Sequence, residues 1–196
     1  TLDMTLIPDF AQVQSDNLLL NLTPFEVKFD DYRPFFTEGT ELFNKAGIFY
    51  SRRVGATPGS AAAVLNKYGN DPNYSINKNP GITRLYNATK FSGRNKKNLG
   101  IGIFNSVTVP MYAKITNLNT GADSSILTEP LTNYNILVLD QALKNRSTIS
   151  FTNTNVLRKG NSRNANVSSI DLSLFNRKNK HSFLFTGKYS SIWGKQ

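Results

Sequence analysis

Cysteine is absent from the sequence, and histidine occurs once, at His181. Without thiols there is no disulfide scaffold and no thiolate metal site. With a single imidazole, a zinc site or a Cys/His nucleophile pair lacks its ligands. No apolar run reaches the 18 or more residues of a membrane-spanning helix. The opening "TLDMTLIPDF" has neither a basic n-region nor an apolar h-region and does not read as a signal peptide; a mature or trimmed chain would look the same. Acid is scarce beyond residue 41. Residues 1–41 hold eight of the thirteen acids and two bases, whereas residues 42–196 hold five acids and twenty-one bases. Such asymmetry marks a nucleic-acid or membrane partner, or an acidic head that folds against a basic remainder.

What is present is β-structure. At 196 residues the chain can bury a sizeable core. From Ile82 onward, runs rich in Val, Ile, Thr, Phe and Tyr are punctuated by Asn, Gly, Lys and Ser clusters: "GRNKKN", "LNTGAD", "LKNR", "KGNSRN" and "NRKNK". In "SIDLSLF", Ile170, Leu172 and Leu174 share one face of a strand and Ser169, Asp171 and Ser173 the other. No helical stripe competes. The expected class is all-β, an antiparallel up-and-down meander. Residues 1–81 read as an acidic N-terminal strand followed by an irregular, plug-like segment, and residues 82–196 as the hairpins.

Two features favour a membrane barrel over a soluble sandwich. The segments Leu99–Asn117 and Ser124–Ala142 are far longer than a usual strand, with Pro110 and Pro130 marking bends where a ladder donor is lost. The turns at 93–98, 143–146 and 176–180 fall at one end of a meander. All three are short and basic, as the periplasmic turns of an outer-membrane barrel are short.

Five ordered blocks carry a resemblance: "IPDFAQVQSD" (7–16), "YRPFFTEGTELF" (32–43), "IFYSRRVG" (48–55), "ATKFSGRNKKNLGIGIFNSVT" (88–108) and "EPLTNY" (129–134). Together they resemble a family of large outer-membrane β-barrel domains of unknown function from Bacteroidota, which usually follow a module similar to family-9 carbohydrate-binding domains. The resemblance implies an outer-membrane location, a lipid partner and a link to glycan handling or solute passage. It also implies a barrel longer than this chain. The open edge would then be met by further strands of the same barrel or by a partner, the barrel-assembly machinery being one candidate.

The stretch "AGIFYSRRVG" (46–55) reads as a strand, but Arg52 and Arg53 would then project to opposite faces. A lipid-facing arginine at the bilayer midplane costs about 2–4 kcal/mol, so the segment belongs in the lumen, at an interface or outside the bilayer. The expectation is a plug or inward-folded segment over residues 21–55, in which Arg33, Arg52 and Arg53 pair with Asp30, Asp31, Glu38 and Glu41. Those ion pairs would support the fold or, alternatively, form a basic lumen site for an anionic solute or glycan. Tyr134, Tyr189 and Trp193 are candidates for the interfacial aromatic girdle.

An active site is not expected. Glu38 and Glu41 have a spacing open to a glycoside-hydrolase pair, but the neighbouring arginines favour ion pairing. "NLGIGIF" lacks the helix that a phosphate-binding loop leads into, and no cofactor is indicated. The expected function is that of a non-catalytic outer-membrane barrel segment. The alternatives are a soluble β-sandwich that binds carbohydrate through the same aromatics and, third, a basic nucleic-acid-binding β domain. The bases are spread among turns rather than gathered into one block, which favours no nucleic acid.

Overall fold

The structure is a computed structural model that describes residues 2–6 and 28–194. Its dominant element is a seven-stranded antiparallel sheet. In chain order the strands are β1 (Leu2–Leu6), β2 (Tyr74–Lys78), β3 (Leu85–Arg94), β4 (Leu99–Thr108), β5 (Met111–Asn117), β6 (Asp123–Glu129), β7 (Thr132–Ala142), β8 (Thr148–Arg158), β9 (Asn164–Phe175) and β10 (Ser182–Trp193). The large sheet runs β1-β3-β4-β7-β8-β9-β10, and β2-β5-β6 form a second, smaller one. Every pairing is antiparallel. The all-β, antiparallel expectation therefore stands, but the meander is interrupted: β2 and the β5–β6 hairpin belong to the smaller sheet. The sheet is not closed into a barrel: among the described residues β1 and β10 are its two outer strands and do not pair with each other.

The hairpin turns lie where Asn and Lys clusters forecast them. Asn98, Asn145 and Asn179 adopt positive φ at the three short turns, a conformation that asparagine accepts more readily than most side chains. The two long segments each break at their proline, as β4/β5 at Pro110 and β6/β7 at Pro130. The pairing of β5 with β6 shifts register just beyond the first break, between Met111 and Tyr112. The β5–β6 hairpin thus leaves the plane of the large sheet and pairs with β2. An eight-residue helix, α3 (Ala61–Tyr68), packs Val64 against Ala113 and Ile115 of that small sheet. The hairpin reading had not foreseen this helix.

Two shorter helical turns, α1 (Pro34–Thr37) and α2 (Glu41–Asn44), precede it. The stretch 46–55 is not a strand. It runs irregularly into a 3₁₀ turn at Ser51–Arg53, because its hydrogen bonds are spent elsewhere. Val54 N–H donates to Ser51 O, while the carbonyls of Ser51 and Val54 accept from the Arg33 guanidinium. Gly55 ends the turn at φ +81°, in the left-handed region that favours glycine.

These segments lie on one face of the large sheet and form the main core with it. Phe36, Phe43 and Val54 pack against Leu85, Ala88, Phe104, Ile136 and Val138. A Cβ at Gly102 would come within 3.2 Å of the Phe43 ring, so glycine there is what lets α2 lie flat on β4. The two faces of the sheet contrast sharply. The side covered by residues 28–60 buries Lys90, Ser106, Thr108, Thr132, Asp140, Ser150, Thr152 and Ser169. The other side exposes Ile103, Leu137, Leu139, Ile149, Ile170, Phe183 and Phe185. As read from "SIDLSLF", Ser169 is buried on the inner face and Ile170 and Leu174 are exposed on the outer.

Candidate functional site

The region where chemistry gathers is the seam between the plug (residues 28–60) and the inner face of the sheet. Arg33 is its organising side chain, 7% exposed. Its Nε donates to Asp31 Oδ1 at 2.8 Å and its Nη2 to Asp31 Oδ2 at 2.6 Å, the bidentate fork that guanidinium and carboxylate favour. Nη1 donates to Val54 O at 2.6 Å and Nη2 also to Ser51 O at 2.9 Å. The guanidinium lies 4.0 Å from the centroid of the Phe36 ring. Ser51 Oγ donates to Asp31 Oδ2 at 2.6 Å. Burial by itself would push the Asp31 carboxyl up; the hydrogen bonds from Arg33 and Ser51 outweigh it and hold the group below its ordinary value.

The wall answers with cations of its own. Lys90, 2% exposed, donates from Nζ to Phe35 O at 2.8 Å and to Glu38 O, two carbonyls at the end of α1. It also stands 3.4 Å from Asp3 of β1. Lys188 of β10 donates to Ala46 O at 2.9 Å, just beyond α2. Lysines that meet the last carbonyls of a helix satisfy acceptors with no partner inside the helix. Asp140 of β7, fully buried, accepts from Lys45 of the plug at 2.7 Å and from Arg94 of β3. It ties wall to wall and wall to plug through one carboxylate.

Of the residues singled out from the sequence, Arg33 and Asp31 come together as an ion pair. Arg52 donates to the backbone carbonyl of Asp30 at 2.9 Å and lies over Phe29. Arg53 offers its carbonyl to Tyr134 Oη at 3.4 Å. Glu38 contributes a carbonyl to Lys90, and Glu41, exposed, edges a shallow depression with Leu42, Ser92 and Arg94. The part of the plug-like segment at residues 21–27 lies outside the described residues. Tyr134, grouped from the sequence with Tyr189 and Trp193 as a girdle aromatic, points instead to the inner face and packs on the core. Strand alternation places it with the buried Thr132 and Ile136. Tyr189 and Trp193 are exposed, and their register places them on the outer face.

A cavity of about 220 Å³ remains between plug and wall. Phe49, Ile136, Val156 and Val167 give it apolar sides, and Lys28, Arg53 and Tyr134 polar ones. Among the described residues no cluster of His, Cys, Asp or Glu is placed to hold a metal ion. The clamp residues Lys45, Lys90, Asp140 and Lys188 went unremarked in the sequence, and Arg94 was read only as one of the bases of the 93–98 turn. A signal for some of them exists: Lys90 and Arg94 alternate in phase with Ala88 in "ATKFSGR", and Asp140 interrupts the set Ile136, Val138.

The sequence profile of the domain of unknown function DUF5916 matches residues 1–196, and the chain belongs to that family. No curated protein and no solved structure matches the chain.

Proposed function

We propose that this DUF5916 chain is a non-catalytic part of the wall and plug of an outer-membrane β-barrel in a bacterial cell envelope. One observation carries the reading, the exposed apolar outer face of the large sheet. Its inner face buries Lys90, Asp140, Thr132 and Thr152 beside the apolar core of Leu85, Phe104, Ile136 and Val138, while its outer face leaves Phe183 58% and Phe185 51% exposed beside Ile103, Leu137 and Ile170. Exposed apolar surface on this scale marks contact with a membrane or a partner, and a barrel in lipid alternates apolar-out with polar-in. The lengths fit as well. Strands β3, β4, β7, β8, β9 and β10 have 10 to 12 residues, against the roughly nine to eleven that a tilted strand needs to cross a bilayer.

The short turns after β3, β7 and β9 share one end, the arrangement of a periplasmic rim. Lipid does not tolerate an open strand edge, so β1 and β10 are met in the membrane by further strands or by a partner protein. The seam residues act as structural ties that seat the plug. A link to glycan handling or solute passage belongs to the same reading. The test is a blot of fractionated native cells with an antibody raised against residues 82–196. A band in the outer-membrane fraction is the expected result; a band confined to the soluble fraction overturns the reading and favours a soluble carbohydrate-binding β-domain.

A further inference from the structure

The outer face is not uniformly apolar. Register brings Asn105 of β4 opposite Asn135 of β7, Asn135 opposite Asn155 of β8, and Asn155 opposite Asn166 of β9, four amides in one row across four strands. Asn133 and Asn153 flank the row, one to each side. Asn105 Nδ2 donates to Asn133 Oδ1 at 2.8 Å and to Asn135 Oδ1 at 2.7 Å. Asn153 Nδ2 donates to Asn166 Oδ1 at 3.1 Å and to Ser168 Oγ at 2.8 Å. The network is incomplete. Among the described residues, Asn155 Oδ1 is buried with no partner, and each amide carries two donors and a two-lone-pair acceptor. Hydrocarbon offers nothing to such groups, and leaving one unmet is costly.

We infer that this amide belt, with the exposed Tyr189 and Trp193 at its β10 end, binds the saccharide headgroup of a membrane glycolipid. Tyr189 lies opposite Ser168, and Trp193 opposite Asn164, so two aromatic rings border the belt. Asparagine amides donate to and accept from hydroxyls at once, and an aromatic ring supplies an apolar face with a polar tip. One mixed row, Ile103, Leu137, Asn153 and Ser168, separates the belt from the apolar stripe formed by Ile101, Leu139, Phe151 and Ile170. A ligand lying along the strands would thus place acyl chains on the stripe and sugars on the amides. The belt also lies on the side of the stripe away from the short turns, the outer-leaflet side of a barrel with those turns in the periplasm. The inference rests on the membrane-wall reading proposed above.

Trp193 is the sole tryptophan of the sequence and reports on the site directly. The protein, folded in a zwitterionic detergent, is titrated with phosphatidylcholine vesicles with and without lipopolysaccharide while Trp193 emission is followed. Vesicles carrying lipopolysaccharide should bind roughly tenfold more tightly, equivalent to ~1.4 kcal/mol. That advantage should vanish in Asn155→Leu and Asn166→Leu, while their binding to plain vesicles persists and shows that they fold. Equal binding of both vesicles overturns the glycolipid inference and leaves the wall intact. Binding of neither overturns the wall reading itself. An advantage that survives in both variants overturns the assignment to the belt.

Discussion

The wall and the plug are held together by opposite means. In the wall from β3 to β10, neighbouring strands pair over nine to twelve residues, as β7 does with β8 from Thr132–Arg158 to Ala142–Thr148. Its stability is spread over a repeating ladder, and no single side chain decides it. The plug has no ladder: α1 and α2 are four residues each, too short to persist alone. A few concentrated contacts fix it, namely Arg33 on Asp31, Ser51 and Val54, the Phe36–Phe43 cluster, and the wall groups Lys90, Asp140 and Lys188. The lesson is where each region is vulnerable: the wall in what its outer face meets, the plug in single buried groups.

The largest effect should come from Arg33→Met. It strands the Asp31 carboxylate, whose side chain is 8% exposed, and two backbone carbonyls. Breaking a buried pair on one side costs about 3–5 kcal/mol. Limited proteolysis should then cut between residues 28 and 60 while the 85–193 sheet stays protected; loss of both together would erase the contrast between the two regions. Next is Leu137→Arg, on the outer face and 38% exposed. In lipid it should cost about 2–4 kcal/mol at the midplane, read as a lowered unfolding midpoint in vesicles. A change within about 0.5 kcal/mol, the usual result for a surface site in water, would count against the membrane wall.

Gly102→Val tests the seam from the wall side. The new side chain would press on the Phe43 ring at 3.2–3.3 Å and on Val138, and overpacking of this kind costs typically about 1–3 kcal/mol. The expected sign is increased cleavage near α2 with the strand content, followed by circular dichroism, unchanged. The smallest effect at neutral pH is acid release of the plug. Because the folded Asp31 titrates below its ordinary value of 3.8, its contribution is fully present above that value and is lost as pH falls through the lower, folded value. Protease sensitivity of the plug should rise on that acid limb. In Asp31→Asn the limb should shrink to the part contributed by Asp140, a carboxyl that burial pushes up but Lys45 and Arg94 hold below its ordinary value, with the plug already looser at pH 7.

Much of the wall was legible in the sequence because strand information is local. Ile170, Leu172 and Leu174 alternate with Ser169, Asp171 and Ser173, and asparagines mark the turns at 98, 145 and 179. Pro110 and Pro130 announce the bends, since a missing N–H acts wherever the residue stands. The plug was legible only in outline. "AGIFYSRRVG" has strand-like composition, yet the Arg33 guanidinium takes its carbonyls from a distance of about twenty residues in the chain, which no propensity encodes. Arg33 and Asp31, two residues apart, could be foreseen as partners. Lys188 and Ala46 could not.

The sequence by itself determined the class of the fold, the hairpin boundaries, the absence of cysteine with a single histidine, and the uneven charge. These follow from side-chain periodicity, turn chemistry and composition, all readable within a few residues. The tertiary structure alone decided which acids meet which cations, that Tyr134 faces the plug while Tyr189 faces outward, and that four asparagines far apart in the chain stand in one row. The physical reason is register. A shift of one residue in any strand would move its whole side-chain set to the other face, and register is settled by packing between strands rather than within them.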